Sequence, residues 1–224
     1  MNMSNVDTFA TDFYGQLAKV VKALGNKMRL EILVLLAQGE RTVDSISKEI
    51  QQPVTNISHN LKDLREIGAV ATRKQGVNVF YSLADDAVYD VVVSLCEIAE
   101  KRSSKFQEVV STYLDSRDQQ ESLDSKQLAK QLSEGDVTIL DVRPPEEYKA
   151  GHLKGAINLQ LNEIDKYFSE LPEKKEVVAY CRGPYCILAY EAVVKLREMG
   201  YTAHRLKDGF PDWKNQGYPI DVNS

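Results

Sequence analysis

The stretch "EVVAYCRGPYCILAYEAVVKLREMG", Glu176 to Gly200, joins an apolar, β-branched run to a helix-forming run through one short loop. "EVVAY" has the length and composition of a buried strand, and "ILAYEAVVKLREMG" repeats apolar residues at helical spacing. Between them stand Cys181, Arg182, Gly183, Pro184, Tyr185 and Cys186. A strand feeding a helix in this way is the unit of a parallel α/β sheet, whose ligands gather beyond the carboxyl ends of the strands. Cys181 falls at that place. Loop N–H groups and the following helix N-terminus would face its sulfur, favouring a thiolate or a persulfide anion. Arg182 adds positive charge beside it.

Two thiols on one loop admit three chemistries: a metal site, a disulfide, or nucleophilic sulfur. The chain has only one further cysteine, Cys96. Zinc is disfavoured because no further Cys or nearby His pair completes a tetrahedral set, and no metal or cofactor is expected. The opening "MNMSNVDTFATDFYGQ" is too polar for a signal peptide, and nothing approaches the roughly 20 apolar residues of a membrane span. A cytoplasmic location follows, and there a permanent bridge is disfavoured. The reactive readings remain. In these readings Cys181 is the candidate to carry a persulfide, and Cys186 either resolves it to a disulfide or is simply a small residue closing the loop.

Outward from the loop, "VTILDV", "AINLQ" and "TAHRL" are short strand-like runs separated by helical ones, so 123–224 reads as a mainly parallel α/β unit. Upstream, "DSRDQQESLDS" is polar and includes an expected linker at 116–122. Residues 1–115 have a different grammar. Helical patterns in "FATDFYGQLAKVVKALG" and "KMRLEILVLLAQG" precede the amphipathic "TVDSISKEI" and a helix from about Val54 to Ile67. "ATRKQGVNVFYSL" alternates about a glycine turn as a hairpin, and one long helical pattern runs from Asp85 to about Leu114.

That order is a winged helix-turn-helix. The Val54–Ile67 helix has an apolar stripe of Ile57, Leu61, Leu64 and Ile67, while Thr55, Asn56, Ser58, His59 and Lys62 point outward. Short hydrogen-bonding groups and a cation suit base edges and phosphates in a major groove. Arg73 and Lys74 on the hairpin are placed to grip phosphate. Ordinary surface polarity explains any one of them; the combination favours DNA. Net charge is −5, so binding would rest on a local patch and weaken with salt. Hydrophobic content of 43% and charged content of 27% fit folded domains.

The run from "ALGNKMRLEIL" through "SHNLKDLREIGAV" to "RKQGVNVFYSL" resembles the ArsR family of bacterial winged-helix repressors. The resemblance implies a homodimer joined through the first and last helices, a palindromic operator, and release of DNA on sensing a signal. Metal-sensing members carry cysteines before the recognition helix; "RTVDSISKEI" has none, and the last helix lacks His. Sensing through those metal sites is not expected, and Cys96 reads as a small buried hydrophobe.

"LDVRPPEEYKAGHLKGAINL" and "LKDGFPDWKNQGYPI" resemble the rhodanese, or sulfurtransferase, domain. Asp141, Arg143, Glu147, Tyr148, Gly151, His152, Gly155, Ala156, Ile157 and Asn158 carry the first motif, and Gly209, Trp213, Gly217 and Pro219 the second. The resemblance makes Cys181 the acceptor of sulfane sulfur and gives His152 a structural role. Its loop has sulfurtransferase length rather than that of the related phosphatases and arsenate reductases. Pro184 in fourth place and Cys186 in sixth depart from many active members, which bears on efficiency with thiosulfate.

The expected fold is therefore a mainly α winged helix-turn-helix (α+β) over 1–115, followed by an α/β rhodanese-like domain with a mainly parallel sheet over 123–224. The expected function is a dimeric repressor of double-stranded operator DNA, with no membrane partner, that answers to a small sulfur donor or acceptor, or another thiol-reactive signal, at Cys181. Two alternatives stand beside it: a sulfurtransferase enzyme with a secondary DNA-binding half, and a repressor whose rhodanese domain is inert.

Overall fold

The computed structural model describes residues 3–135, 137–167 and 176–222. The chain divides into two compact units, Met1–Leu95 and Cys96–Ser224.

The first unit runs α1 (Met3–Leu24), α2 (Lys27–Leu36), β1 (Arg41–Thr42), α3 (Val43–Ile50), α4 (Val54–Glu66), β2 (Val70–Gln75) and β3 (Asn78–Leu83). Local chemistry sets the starts. Asn26 Oδ1 accepts the Arg29 N–H at α2, and Thr42 Oγ1 accepts the Ser45 N–H at α3. The strands form an antiparallel sheet in the order β1-β3-β2. Its hairpin turns at Gly76, whose φ of 60° is costly for any residue with a side chain. The expected stripe on α4 is the core: Ile57, Leu61 and Leu64 are buried with Ile32, Leu33, Leu36 and Ile46. This is the winged helix-turn-helix expected from the sequence.

The long helix expected from Asp85 to Leu114 is instead three pieces. The first, α5 (Ala87–Arg102), ends where Ser103 leaves helical geometry, with φ −109° and ψ 106°. The Ser103 hydroxyl accepts the Phe106 N–H and starts α6 (Ser104–Val110). A wider turn over Ser111–Asp115 follows, closed by the Ser116 N–H on the Ser111 carbonyl. Apolar periodicity runs straight through a serine cap, which is why the break was illegible.

The second unit continues with α7 (Ser125–Glu134), β4 (Val137–Asp141), α8 (Pro145–Ala150), β5 (His152–Leu153), β6 (Ile157–Asn158), α9 (Ile164–Tyr167), β7 (Glu176–Tyr180), α10 (Ile187–Glu198), β8 (Ala203–Arg205), α11 (Phe210–Asn215) and β9 (Ile220–Asp221). Four strands pair in parallel in the order β6-β4-β7-β8, and β5 pairs β9 antiparallel. Both faces of β7 are buried by strict alternation. Val177 and Ala179 join one core with Ala192, Val193 and Leu196 of α10; Val178 and Tyr180 join another with Leu128, Leu153 and Trp213. The α/β fold with a parallel sheet is as the sequence led us to expect.

The polar stretch before α7 is pinned to this unit. Asp118 Oδ1 accepts Arg197 Nη1 at 2.7 Å, and its Oδ2 accepts Arg205 Nε at 2.8 Å. Burial alone would raise its carboxyl pKa, but the two arginine hydrogen bonds outweigh that and hold it below the ordinary value.

Candidate functional site

Cys181 is the first residue beyond β7, an inner strand of the parallel sheet, and is 1% exposed. Cys186 occupies the cap position of α10. The six-residue loop folds back through a turn closed by the Cys186 N–H on the Gly183 carbonyl, at 3.1 Å. That brings the two Cα atoms to 6.1 Å, and the sulfurs are joined as a disulfide. The structure thus presents the oxidised form of the loop.

The half of the loop that carries Cys181 is held by groups distant in sequence. The Phe210 N–H donates to the Cys181 carbonyl at 3.2 Å. Gly209 lies flat against the loop: a β-carbon there would stand 2.3 Å from the Arg182 carbonyl oxygen. Arg182 places its guanidinium on Glu147. Its Nε lies 3.0 Å from Glu147 Oε1 and its Nη2 2.6 Å from the same oxygen. The Glu147 side chain is wholly buried on α8 and needs a cation, so Arg182 serves the frame of the site.

The remaining motif residues build that frame. Arg143 and Asp141 are both 0% exposed and paired, with Arg143 Nη2 2.6 Å from Asp141 Oδ2 and 2.8 Å from the Gly151 carbonyl. Tyr180 Oη donates to the same Asp141 oxygen and accepts the Leu153 N–H at 3.1 Å. Burial and the Asp141 carboxylate hold the Tyr180 phenol well above its ordinary pKa, so it stays a donor. Asn158 Nδ2 donates to the Asp141 and Arg143 carbonyls. His152 stacks on Tyr148, with Nδ1 2.8 Å from the Tyr148 carbonyl. Trp213 Nε1 donates to the Pro219 carbonyl and fixes the C-terminal motif.

The other half of the loop faces different partners. Tyr190 Oη lies 3.4 Å from the Pro184 carbonyl. Tyr185 Oη donates to Glu100 Oε2 at 2.8 Å, and its ring meets Phe106 edge-on.

In the first unit Thr55, Asn56, Ser58, His59 and Lys62 share the exposed face of α4. Asn60, which sequence reasoning passed over, is buried and donates from Nδ2 to Asn56 Oδ1 at 3.2 Å, orienting the Asn56 amide. His59 Nδ1 is 3.7 Å from Asp63, and Lys62 Nζ is 3.9 Å from Glu66. Lys74 and Arg73 lie on β2, where Arg73 pairs with Glu40 and lies over the Phe80 ring. Among the described residues no helix is long and apolar enough to cross a membrane.

Comparison with known proteins decides what the two units are. The profile of bacterial regulatory proteins of the arsR family matches residues 26–72, and that of the rhodanese-like domain matches 124–216. The HTH-type transcriptional regulator Rv0324 of Mycobacterium tuberculosis is 37% identical over 92% of this chain and 90% of its own length. This chain belongs to the arsR family. It is an arsR-family transcriptional regulator with a C-terminal rhodanese-like domain. A sulfurtransferase of Allochromatium vinosum is 33% identical to the regulator over 44% of this chain and 92% of that protein. A solution structure from Mycobacterium bovis, described as a homodimeric winged helix-turn-helix DNA-binding domain, covers 42% of the regulator at 35% identity, with a TM-score of 0.40 and 88% of its own chain matched.

Two features of the sulfur site escaped sequence reading. The Arg182–Glu147 pair spans 35 positions, and the Gly209 approach depends on how the segment before α11 crosses the loop. The second glutamate of "PPEEY" was legible as a motif residue, but no pattern named its partner.

Proposed function

We propose that this regulator binds operator DNA as a homodimer and changes its affinity when reactive sulfur modifies Cys181. The observation that carries the reading is the bond between Cys181 and Cys186 on a loop at the carboxyl end of β7, in a chain that also bears a winged helix. The Cys181 thiolate attacks the terminal sulfur of a polysulfide. The bond from that sulfur to the rest of the polysulfide breaks, and the shortened anion leaves with the electron pair. The Cys186 thiolate then attacks Cys181 Sγ, and the outer sulfur leaves as hydrosulfide. Two thiols are oxidised to one disulfide while one sulfane sulfur is reduced.

The dimer rests on apolar surface that one chain leaves bare. Phe9, Phe13, Tyr14, Leu17 and Val21 of α1 are exposed, as are Val91, Leu95 and Ile98 of α5. DNA contact rests on Thr55, Asn56, Ser58, His59 and Lys62, with Lys74 and Arg73 beside them on the wing.

The test is intact-protein mass after brief exposure to polysulfide. A gain of one sulfur, or a loss of two hydrogens when Cys186 resolves it, is expected in the native protein and in neither form in Cys181→Ser. An unchanged mass with every sulfane donor overturns the reading. The likeness to the A. vinosum sulfurtransferase favours a second reading, in which the domain turns over sulfur as an enzyme. Multiple turnovers of thiosulfate or 3-mercaptopyruvate, with operator affinity indifferent to modification, would select it.

A further inference from the structure

Resting on the reading of Cys181 and Cys186 as the sensing pair, we propose that Tyr185 relays the covalent state of the loop to α5 and α6 through its contacts with Glu100 and Phe106. Tyr185 directly precedes Cys186, so a backbone shift of Cys186 toward or away from Cys181 moves Tyr185 as well. The two halves of the loop are held unequally. The Cys181 half is fixed by the buried Glu147, the Phe210 N–H and the close backbone of Gly209. Beyond the Cys186 N–H on the Gly183 carbonyl and the Ala189 N–H on the Cys186 carbonyl, the Tyr185 half is held by the long Tyr190–Pro184 contact and by the partners of Tyr185 itself. A backbone adjustment to making or reducing the sulfur–sulfur bond therefore falls on Tyr185 more than on Cys181.

The receiving end is built the same way. Glu100 stands on the last turn of α5, two residues before its end. Its side chain takes the Tyr185 hydroxyl, and its backbone carbonyl takes Gln107 Nε2 at 2.6 Å across the Ser103 break. Downstream, Asp118 is locked by Arg197 and Arg205, and Arg117 Nε lies 3.5 Å from Glu191 of α10. The segment from Ser103 to Asp115 thus has a fixed far end. Its near end meets the loop through the Phe106 ring and, across the Ser103 break, through the exposed hydrogen bond of Glu100. Buried ion pairs resist disruption far more than a single exposed hydrogen bond. The weak tie is the one that gives when the loop changes. It gives at α5, whose residues up to Leu95 belong to the first unit and whose residues from Cys96 belong to the second.

The experiment is hydrogen exchange of the full-length protein, reduced by dithiothreitol or oxidised by polysulfide, with the disulfide verified by a loss of two hydrogens. Exchange over 96–110 is expected to be slower in the oxidised protein, by about fivefold, the equilibrium weight of one hydrogen bond. Glu100→Ala, on an exposed helical position, should still form the disulfide but lose that difference, and Phe106→Leu should reduce it. A difference that persists in full in Glu100→Ala, or none in the native protein, overturns the relay. Operator affinity is measured on the same samples by anisotropy, with a duplex selected by the reduced protein from a random pool. Affinity that answers oxidation equally in native protein and Glu100→Ala overturns the relay while the sensor reading stands. Exchange that answers normally with affinity unmoved supports the relay and removes the sensor reading.

Discussion

The exposed face of α4 and the loop after β7 solve opposite problems. On α4 the candidate side chains are solvated, and their nearest charges are carboxylates of the same helix, Asp63 and Glu66. Around Cys181 every motif charge is buried and satisfied: Arg143 by Asp141, Glu147 by Arg182. Under the proposed function, the α4 face gives up weak, exposed contacts when a polyanion arrives, and salt then competes with it. Under the same proposed function, the Cys181 loop is organised in advance by a buried frame that costs folding energy. The lesson is that the two sites should fail differently when altered.

The sharpest way to break this contrast is at the frame. Arg143→Ala leaves Asp141 buried without its cation and should cost about 3–5 kcal/mol of stability, read by denaturant unfolding of the full chain. An equivalent truncation on α4, Lys62→Ala, should leave stability within about 0.5 kcal/mol.

Gly209→Ala comes next. Its added methyl must displace the loop backbone at Arg182, at a cost of about 1–3 kcal/mol. Slower persulfidation of Cys181, followed by mass, is expected alongside normal operator binding by the reduced protein.

On the DNA side, Asn56→Ala should lose about 1–3 kcal/mol of discrimination at one base position. Lys62→Ala should weaken all duplexes alike and reduce the salt slope by about one. Titrations at several salt concentrations separate the two.

The smallest effect is acid sensitivity. Asp118 has a depressed pKa in the folded state, so its stabilisation is fully present above the unfolded value of about 4 and is lost as pH falls through the folded value. The stability gap between native protein and Asp118→Asn should therefore narrow below about pH 4. A gap that widens there would reverse the sign of this account.

Much of the fold was legible because period and punctuation act locally. The stripe of Ile57, Leu61 and Leu64, the hairpin at Gly76, and the step from Tyr180 through the loop to Ile187 depend on neighbours in the chain. What stayed hidden depends on remote partners. Asp118 looked like linker until Arg197 and Arg205 closed on it. Arg182 looked like a cation for sulfur until Glu147 claimed it. Ser103 concealed a helix cap inside an unbroken apolar rhythm, and Tyr185 gave no sign of Glu100, 85 positions away.

The most direct test of the central claim is operator affinity of one protein preparation before and after polysulfide, beside Cys181→Ser. We predict that the modified native protein changes its affinity, that dithiothreitol restores it, and that Cys181→Ser holds one affinity throughout. Equal affinities for native protein fully converted to its persulfide or disulfide form would contradict the account.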